Sequence, residues 1–329
     1  MTPLNLSLLA IGERVQHELL VVDRLEKTQQ GNGDPFVILK LGNASGHIDV
    51  APIWSNQRTW ADGADRGRVV QAIGQVGLYK GKRQIQLTGA LRVLPAEQVD
   101  LLAFLPRIAG DTIKLWDWID KRRAEMTTPS LRQIVDLFFG DDDFRLRFEK
   151  TPGSVNGHHA KLGGLLLHVF EVTSIARQTA RTMNANVDLV VAGALLHDIG
   201  KVEAYGVEGG TFANTPCGLL LGHVVLGCLM LERKLAALGQ PLCTDGQLLD
   251  LQHMILSHHG KLEFGSPVQP MTTEAEIVHW ADEASAKAND MMESLEDGEA
   301  FTSGGEFSDK RPWRVGRRIW RRPDGTWTT

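Results

Sequence analysis

Apolar residues alternate along the first third of the chain and then settle into a three-to-four spacing. Between residues 12 and 95 that alternation predicts strands over 15–27, 35–41 and 47–54. Gly/Asn-containing turns separate them, at Gly31-Asn32-Gly33 and at Gly42-Asn43-Ala44-Ser45-Gly46. A polar stretch, 55–67, leaves room for a short helix. Strands over 68–79 and 83–93 follow, joined by a tight turn at Lys80-Gly81-Lys82. Val69, Ala72, Ile85 and Leu87 supply their apolar positions, and glycines at 74 and 77 let a strand coil sharply.

From Pro95 onward the period is helical. Asp111 N-caps a helix carrying Ile113, Leu115, Trp116 and Ile119, with Lys121, Arg122 and Arg123 in its last turn. Trp116 and Trp118 are expected to pack between helices. Thr128-Pro129 supplies a cap and then a proline at the first helical position, opening a helix over 130–139. A stripe of Leu165, Leu166, Val169, Val172, Ile175 and Ala176 marks a helix over 164–183. The run 187–198 is almost wholly apolar. Helices over 221–238, stopped by Gly239 and Pro241, and over 247–258, with Gly260 just past the end, come next. Thr272 or Thr273 caps a last helix running through Asp282 to about residue 296.

Five strands with an insertion after the third match the order of a small OB-type barrel. The expected architecture is therefore multidomain α+β, an OB-like five-stranded β-barrel followed by an all-α helical bundle. Its segments are a barrel over 1–95, a helical connector over 96–125, a bundle over 126–300 and a basic, aromatic tail over 301–329. Barrels of this kind bind single-stranded nucleic acid through basic, aromatic faces. Arg58, Arg68, Lys80, Lys82 and Arg83 with Tyr79, Trp54 and Trp60 could serve, or the barrel is structural and its lysines sit in a solvated turn. In the tail, seven basic residues within 310–322 interleave with Trp313 and Trp320. A solvated tail and a phosphate-and-base contact are the two readings.

Composition narrows the field. A formal charge of −5 supplies no global basic field, so nucleic-acid binding would need a local patch. Cys217, Cys228 and Cys243 are far apart without a C-x-x-C, against a disulfide framework or a thiolate metal site, and a reducing cytoplasm is expected. No signal-peptide pattern and no apolar run approaching a membrane span is present.

The chemistry gathers in the bundle. The apolar run 190–196 ends in His197-Asp198, and Gly200 turns the chain. His168 lies in the helix before, His223 opens the helix after, His258-His259 close the next and Asp282 lies on the last. Bundles build metal sites from facing helices in this way. One ion could take His168, His197, Asp198 and Asp282, and a second His223, His258 and His259, with Asp198 shared. Imidazole plus carboxylate without thiolate suits Mn²⁺, Fe²⁺ or Zn²⁺ better than Ca²⁺, and of these Mn²⁺ is expected first. Two such cations suit phosphate ester hydrolysis. Any one of these histidines alone is more often a core or cap residue; the constellation carries the inference.

The bundle resembles the HD-superfamily metal-dependent phosphohydrolases. The resemblance runs through Gly157-His158-His159-Ala160, Gly163-Gly164-Leu165-Leu166-Leu167-His168 and Leu196-His197-Asp198-Ile199-Gly200-Lys201, then Ile255-Leu256-Ser257-His258-His259-Gly260 and Glu263-Phe264-Gly265-Ser266-Pro267. With the barrel in front, nearly the whole chain resembles the YhaM-type 3′–5′ exoribonucleases. The resemblance implies His168, His197, Asp198 and Asp282 as the shared ligand set, and His223, His258 and His259 as the extra histidines of the dinuclear branch. It implies catalytic roles for Asp198 and Lys201, with Lys201 facing the substrate phosphate as an electrostatic stabiliser or else solvated at a helix end. His158 and His159 would contact phosphate or brace a ligand. His279 could orient Asp282 or simply pack, and His253 is expected to pack. Three positions depart from the family: Lys161 stands where an aromatic is usual, Pro152-Gly153-Ser154 replaces a more Ala-like segment, and Ser285 stands where a second acid is expected.

The implied activity is a cytoplasmic metal-dependent phosphodiesterase shortening single-stranded RNA, with DNA as a further substrate, from the 3′ end. A homo-oligomer is compatible with it. The rivals are a phosphohydrolase of nucleotides or cyclic dinucleotides using the barrel to oligomerise, and a nucleic-acid-binding regulator with an inactive HD site.

Overall fold

The computed structural model describes residues 4–29, 31, 33–297, 300–323 and 326; Asn32 of the first expected turn lies outside them. The chain divides into two units, Met1–Arg107 with Val207–Ala213, and Ile108–Gly206 with Asn214–Thr329.

In the first unit, β1 (Arg14–Thr28), β2 (Pro35–Asn43), β3 (Gly46–Val50), β4 (Val69–Tyr79) and β5 (Lys82–Leu87) pair in the order β1-β2-β3-β5-β4, and β4 returns to β1. All pairs are antiparallel except β3–β5. Closure depends on the length of β1: Arg14 to Leu20 pairs with β4, and Leu20 to Thr28 pairs with β2 across a register shift between Val21 and Asp23. One strand that bends between two neighbours removes the free edge. Leu19, Val21, Leu39, Leu41, Ala72 and Ile85 fill the interior. The expected strand over 47–54 stops at Val50, with Ile53 making a lone bridge to Val37. The one over 83–93 breaks into β5 and β6 (Arg92–Val93), which pairs with β4. The polar insertion holds a 3₁₀ helix, Ser55–Ala61.

Several of the barrel's candidate contacts are engaged structurally. Arg58 pairs with Glu26 at 3.0 Å, Arg83 donates to the Leu9 carbonyl at 2.8 Å, Trp54 packs on Phe36, and Trp60 packs against the core.

The second unit contains α1 (Thr112–Glu125), α2 (Pro129–Phe139), α3 (Asp142–Lys150), α4 (Gly164–Met183), α5 (Val187–Leu196), the short α6 (Lys201–Ala204), α7 (Pro216–Ala236), α8 (Asp245–Ser257) and α9 (Thr273–Glu296). In place of a connector over 96–125, residues up to Arg107 group with the barrel, while α1 buries Trp116 and Ile119 in the bundle core. An amphipathic helix with two such side chains gains more from that core than from solvent. Phe138, Phe139, Phe144 and Phe148 form its aromatic centre. Thr128 makes no side-chain cap; instead Asp188 accepts from the Thr127 and Thr128 amides at 2.8 and 2.7 Å.

Between α6 and α7 a hairpin of β7 (Tyr205–Glu208) and β8 (Thr211–Asn214) turns at Gly209-Gly210, and its residues Val207–Ala213 group with the first unit. Residues 300–323 do not form a loose tail. Ala300, Phe301 and Ile319 are buried against Met291, Leu295 and Val315, and Ser308 N–H donates to the Ile319 carbonyl at 2.9 Å. Among the described residues no helix is long and apolar enough to cross a membrane.

Candidate metal centre

Five helices, α4, α5, α7, α8 and α9, bring side chains to a centre around Asp198. The α5 residues Val190 to Leu196 are all buried, so the helix is held in the core and its C-terminal end emerges inside the protein. His197 and Asp198 are there fully buried. Gly200 lets the next turn come close: a Cβ at this position would stand 2.0 Å from the His223 carbonyl oxygen. Opposite, α7 is broken at Gly222, whose φ of 74° and ψ of 154° belong to a region open essentially to glycine. The break re-aims the chain, and His223 starts the second half of α7 pointing at Asp198.

The donor atoms fall into two groups. His168 Nε2 stands 3.4 Å from His197 Nε2, 3.3 Å from Asp198 Oδ2 and 3.0 Å from Asp282 Oδ1, and His197 Nε2 lies 3.2 Å from Asp198 Oδ2. On the other side, Asp198 Oδ1 lies 3.4 Å from His223 Nε2 and 3.6 Å from His258 Nε2, while His223 Nε2 and His259 Nε2 are 3.0 Å apart. Two ligand atoms bound to one ion at ~2.1 Å stand roughly 3.0–3.4 Å from each other, so these edges fit a coordination polyhedron. Asp198 Oδ1 and His258 Nε2 have no hydrogen-bond partner, and Asp198 Oδ2 has the Lys201 ammonium as a counter-charge. Buried polar atoms left this way need an explanation, and a cation supplies one.

The tautomers agree. His197 Nδ1 and His258 Nδ1 each sit 2.7 Å from a carbonyl oxygen, of Ala194 and Ile255, so Nδ1 carries the proton and Nε2 keeps its lone pair toward Asp198. His259 Nδ1 lies 3.3 Å from Asp282 Oδ2, leaving its Nε2 for the second group.

The charge balance also favours a cation. Burial opposes ionisation of Asp198, but Lys201 and the neighbouring imidazoles hold its carboxyl well below the usual range. Asp282 is likewise held well down, against burial, by His168 and His259. Burial lowers His223 to about 3 and drives His258 well below its ordinary value, so both are neutral imidazoles at physiological pH, the form that can bind a metal. Burial works against charge on His168, but Asp198 and Asp282 raise it: two carboxylates demand positive charge at this point.

Lys201 is neither solvated nor pointed at open space. It is buried, with Nζ 2.6 Å from Asp198 Oδ2, and against burial Asp198, Tyr205 and Asp282 raise its pKa. The His158 ring lies 5.3 Å from that of His168, and burial lowers its pKa to about 2. His159 is buried in a left-handed backbone conformation, φ 54°, with Nε2 3.3 Å from Glu171 Oε2 but off hydrogen-bond geometry. His279 does not touch Asp282; its Nδ1 lies 2.7 Å from the His258 carbonyl oxygen and braces the turn carrying both histidines. His253 Nε2 accepts from the Met271 amide at 2.9 Å.

Two residues that sequence reasoning missed complete the shell. Ser285 Oγ sits 3.0 Å from His168 Nδ1 and donates to Glu171 Oε2 at 2.7 Å. Glu171, also bound by Asn289 at 2.8 Å, therefore reaches His168 through a hydroxyl. This accounts for serine at 285: the acid comes from α4. The available signal was spacing, since Glu171 follows His168 and Ser285 follows Asp282 by one helical turn. Lys161, the other departure, pairs with Glu293 at 2.9 Å.

Comparison with known proteins follows the same lines. The HD domain family matches residues 165–287, which span all seven candidate ligands. The 3′–5′ exoribonuclease YhaM of Oceanobacillus iheyensis is 30% identical over 303 residues, 91% of this chain and 91% of the relative. That of Bacillus subtilis is 33% identical over 292 residues, 87% of this chain and 89% of the relative. That of Listeria innocua is 30% identical over 306 residues, covering 91% and 92%. Similarity of this extent takes in both units, and the chain belongs to the family of YhaM 3′–5′ exoribonucleases.

Proposed function

We propose that the chain is a metal-dependent 3′–5′ exoribonuclease that hydrolyses single-stranded RNA, with DNA as a secondary substrate, at a centre for two divalent ions. The carrying observation is Asp198, whose two buried carboxylate oxygens face two separate groups of imidazole nitrogens, His168 and His197 on Oδ2 and His223 and His258 on Oδ1. His168, His197, Asp198 Oδ2 and Asp282 would hold one ion, and His223, His258, His259 and Asp198 Oδ1 the other. The imidazole and carboxylate donors suit Mn²⁺, Fe²⁺ or Zn²⁺, and we take Mn²⁺ as the first ion to test.

Divalent ions held there would supply a water of lowered pKa and positive charge to offset that of the phosphodiester oxygens. The chain's own groups do the rest. Lys201, kept protonated beside Asp198, is a fixed positive charge where negative charge grows as the phosphodiester is attacked. His158, kept neutral, can donate one ring N–H to a non-bridging phosphate oxygen. His159 lies buried beside Glu171 in the loop next to the centre. Glu171 and Ser285 fix the ring of His168, so its Nε2 needs no reorganisation when a ligand arrives. The three free cysteines suit a reducing, cytoplasmic setting.

The test is incubation of the purified chain and Mn²⁺ with a 5′-labelled oligoribonucleotide. A ladder of 3′-shortened products is expected. Cleavage of a small phosphoester without any shortening would instead support a nucleotide phosphohydrolase. An inactive regulatory site is disfavoured by the complete donor set.

A further inference from the structure

Residues 310–322 carry seven cations and no carboxylate. Three of the cations hold the segment's fold. Arg314 pairs with Glu293 of α9, Arg318 donates to the Ser308 carbonyl at 2.7 Å, and Arg321 donates to the Leu295 carbonyl and lies over Phe301. The other four, Lys310, Arg311, Arg317 and Arg322, are exposed and have no ion-pair or hydrogen-bond partner among the described residues. The nearby carboxylates are already engaged: Glu306 accepts from Trp320 Nε1 at 3.0 Å, and Asp309 accepts from Thr302 and Ser303.

Large rings are exposed among these cations. Trp313 is 73% exposed, and Phe307 and Trp320, stacked at 6.5 Å with planes 30° apart, are 56% and 43% exposed. Folding gains nothing from leaving three such rings in water. Single-stranded nucleic acid needs this combination, π-faces for bases interleaved with cations for phosphates. A protein-docking face would be depleted of charge at its centre.

We propose that segment 300–323 is a docking surface for single-stranded RNA, holding the upstream part of a strand whose 3′ end lies at the centre. The proposal rests on the exoribonuclease reading for its direction. The segment is tied to the centre by α9, which carries Asp282 near its middle and, eleven residues on and close to its C-terminal end, Glu293, joined both to Arg314 and to Lys161 of the His158-His159 loop. Eleven residues of helix span about 16 Å. At about 3.4 Å per stacked nucleotide, a strand reaches the surface about five nucleotides from its 3′ end. A trinucleotide falls short.

The experiment measures fluorescence anisotropy of the full chain, with Ca²⁺ replacing the active metal, against 5′-fluorescein A20 and A3. The variants are Trp313→Ala, Trp313→Phe and the quadruple Lys310→Gln/Arg311→Gln/Arg317→Gln/Arg322→Gln. Loss of one stacking contact should weaken A20 binding roughly 5- to 100-fold in Trp313→Ala, with Trp313→Phe restoring most of it. The quadruple variant should lower the salt dependence of log Kd by about 3, near 0.7 per phosphate contact. A3 binding should move less than twofold. A20 affinity within twofold of wild type in both the Ala and quadruple variants overturns the proposal. So does unchanged A20 affinity with a changed mass in light scattering, which would assign the face to a second copy of the chain. If the wild type shortens no RNA under Mn²⁺ and A20 binding still falls as described, the activity assignment fails and the surface stands.

Discussion

Asp198→Asn keeps the side chain's volume and removes its charge, and the structure sets two consequences. In metal-free protein the change strands the Lys201 ammonium, buried and 2.6 Å from the carboxylate it pairs with. At an effective dielectric of about 20, that separation corresponds to about 6 kcal/mol of attraction, part of which desolvation offsets. Removing one partner of such a pair costs about 3–5 kcal/mol. In a unit of this size each 1 kcal/mol moves Tm by about 2–4 °C, so the EDTA-treated variant should melt about 6–20 °C lower. Asp198→Asn combined with Lys201→Met should recover most of the loss, because no unpaired charge remains. In metal-bound protein the same oxygens face both donor groups, so titration calorimetry with Mn²⁺ should lose both binding events, where loss of His223 alone would remove one. Two Mn²⁺ ions bound to Asp198→Asn at wild-type affinity, or a metal-free stability change under about 1 kcal/mol, would refute the reasoning about this residue.

Gly222→Ala meets no steric obstacle, since a Cβ there has nothing within 4 Å, so its cost is the backbone conformation, about 1–3 kcal/mol. Calorimetry should show the Mn²⁺ site that uses His223 lost as that ring is mis-aimed, with the other kept. Ser285→Ala cuts His168 off from Glu171 and should weaken Mn²⁺ binding about 10- to 100-fold, measured by competition with a chelating dye; Ser285→Thr should restore most of it. The Asp309 carboxyl is held to about 2 by the Ser303 hydroxyl and amide and the Thr302 hydroxyl, below its ordinary 3.8. Its folded pKa is therefore depressed, and its contribution is present above pH 3.8 and lost as pH falls through 2. Denaturation of Asp309→Asn and wild type should differ by a constant amount above about pH 5 and converge toward pH 2.

The division between what was legible in sequence and what was not follows from locality. The barrel strands, the ends of α4, α5, α8 and α9, and the side chains His168, His197-Asp198, His223, His258-His259 and Asp282 can be read from periodicity, caps and ligand chemistry, all functions of near neighbours. Where a long strand breaks is less local: both parts of the 83–93 run pair with β4, Lys82–Leu87 along Gly74 to Tyr79 and Arg92–Val93 along Val70 and Gln71, and the chain bends at Thr88-Gly89 between them.

The shell around the ligands depended on packing. Ser285 and His168 are 117 residues apart, and their contact is set by how α9 lies on α4. His279 looked like a partner for Asp282 by spacing, but the turn after α8 brings the His258 carbonyl nearer. The basic segment reads as a free tail in sequence because its seven cations are obvious, whereas three buried apolar side chains that dock it on α9 are not. Sequence alone therefore determined the donor types and the elements presenting them, since helix ends and ligand chemistry are local properties. Only tertiary structure decided that Asp198 faces two imidazole groups at once, that Lys201 is buried against it, and which acid steadies His168, because those depend on the angles and depths at which distant helices pack.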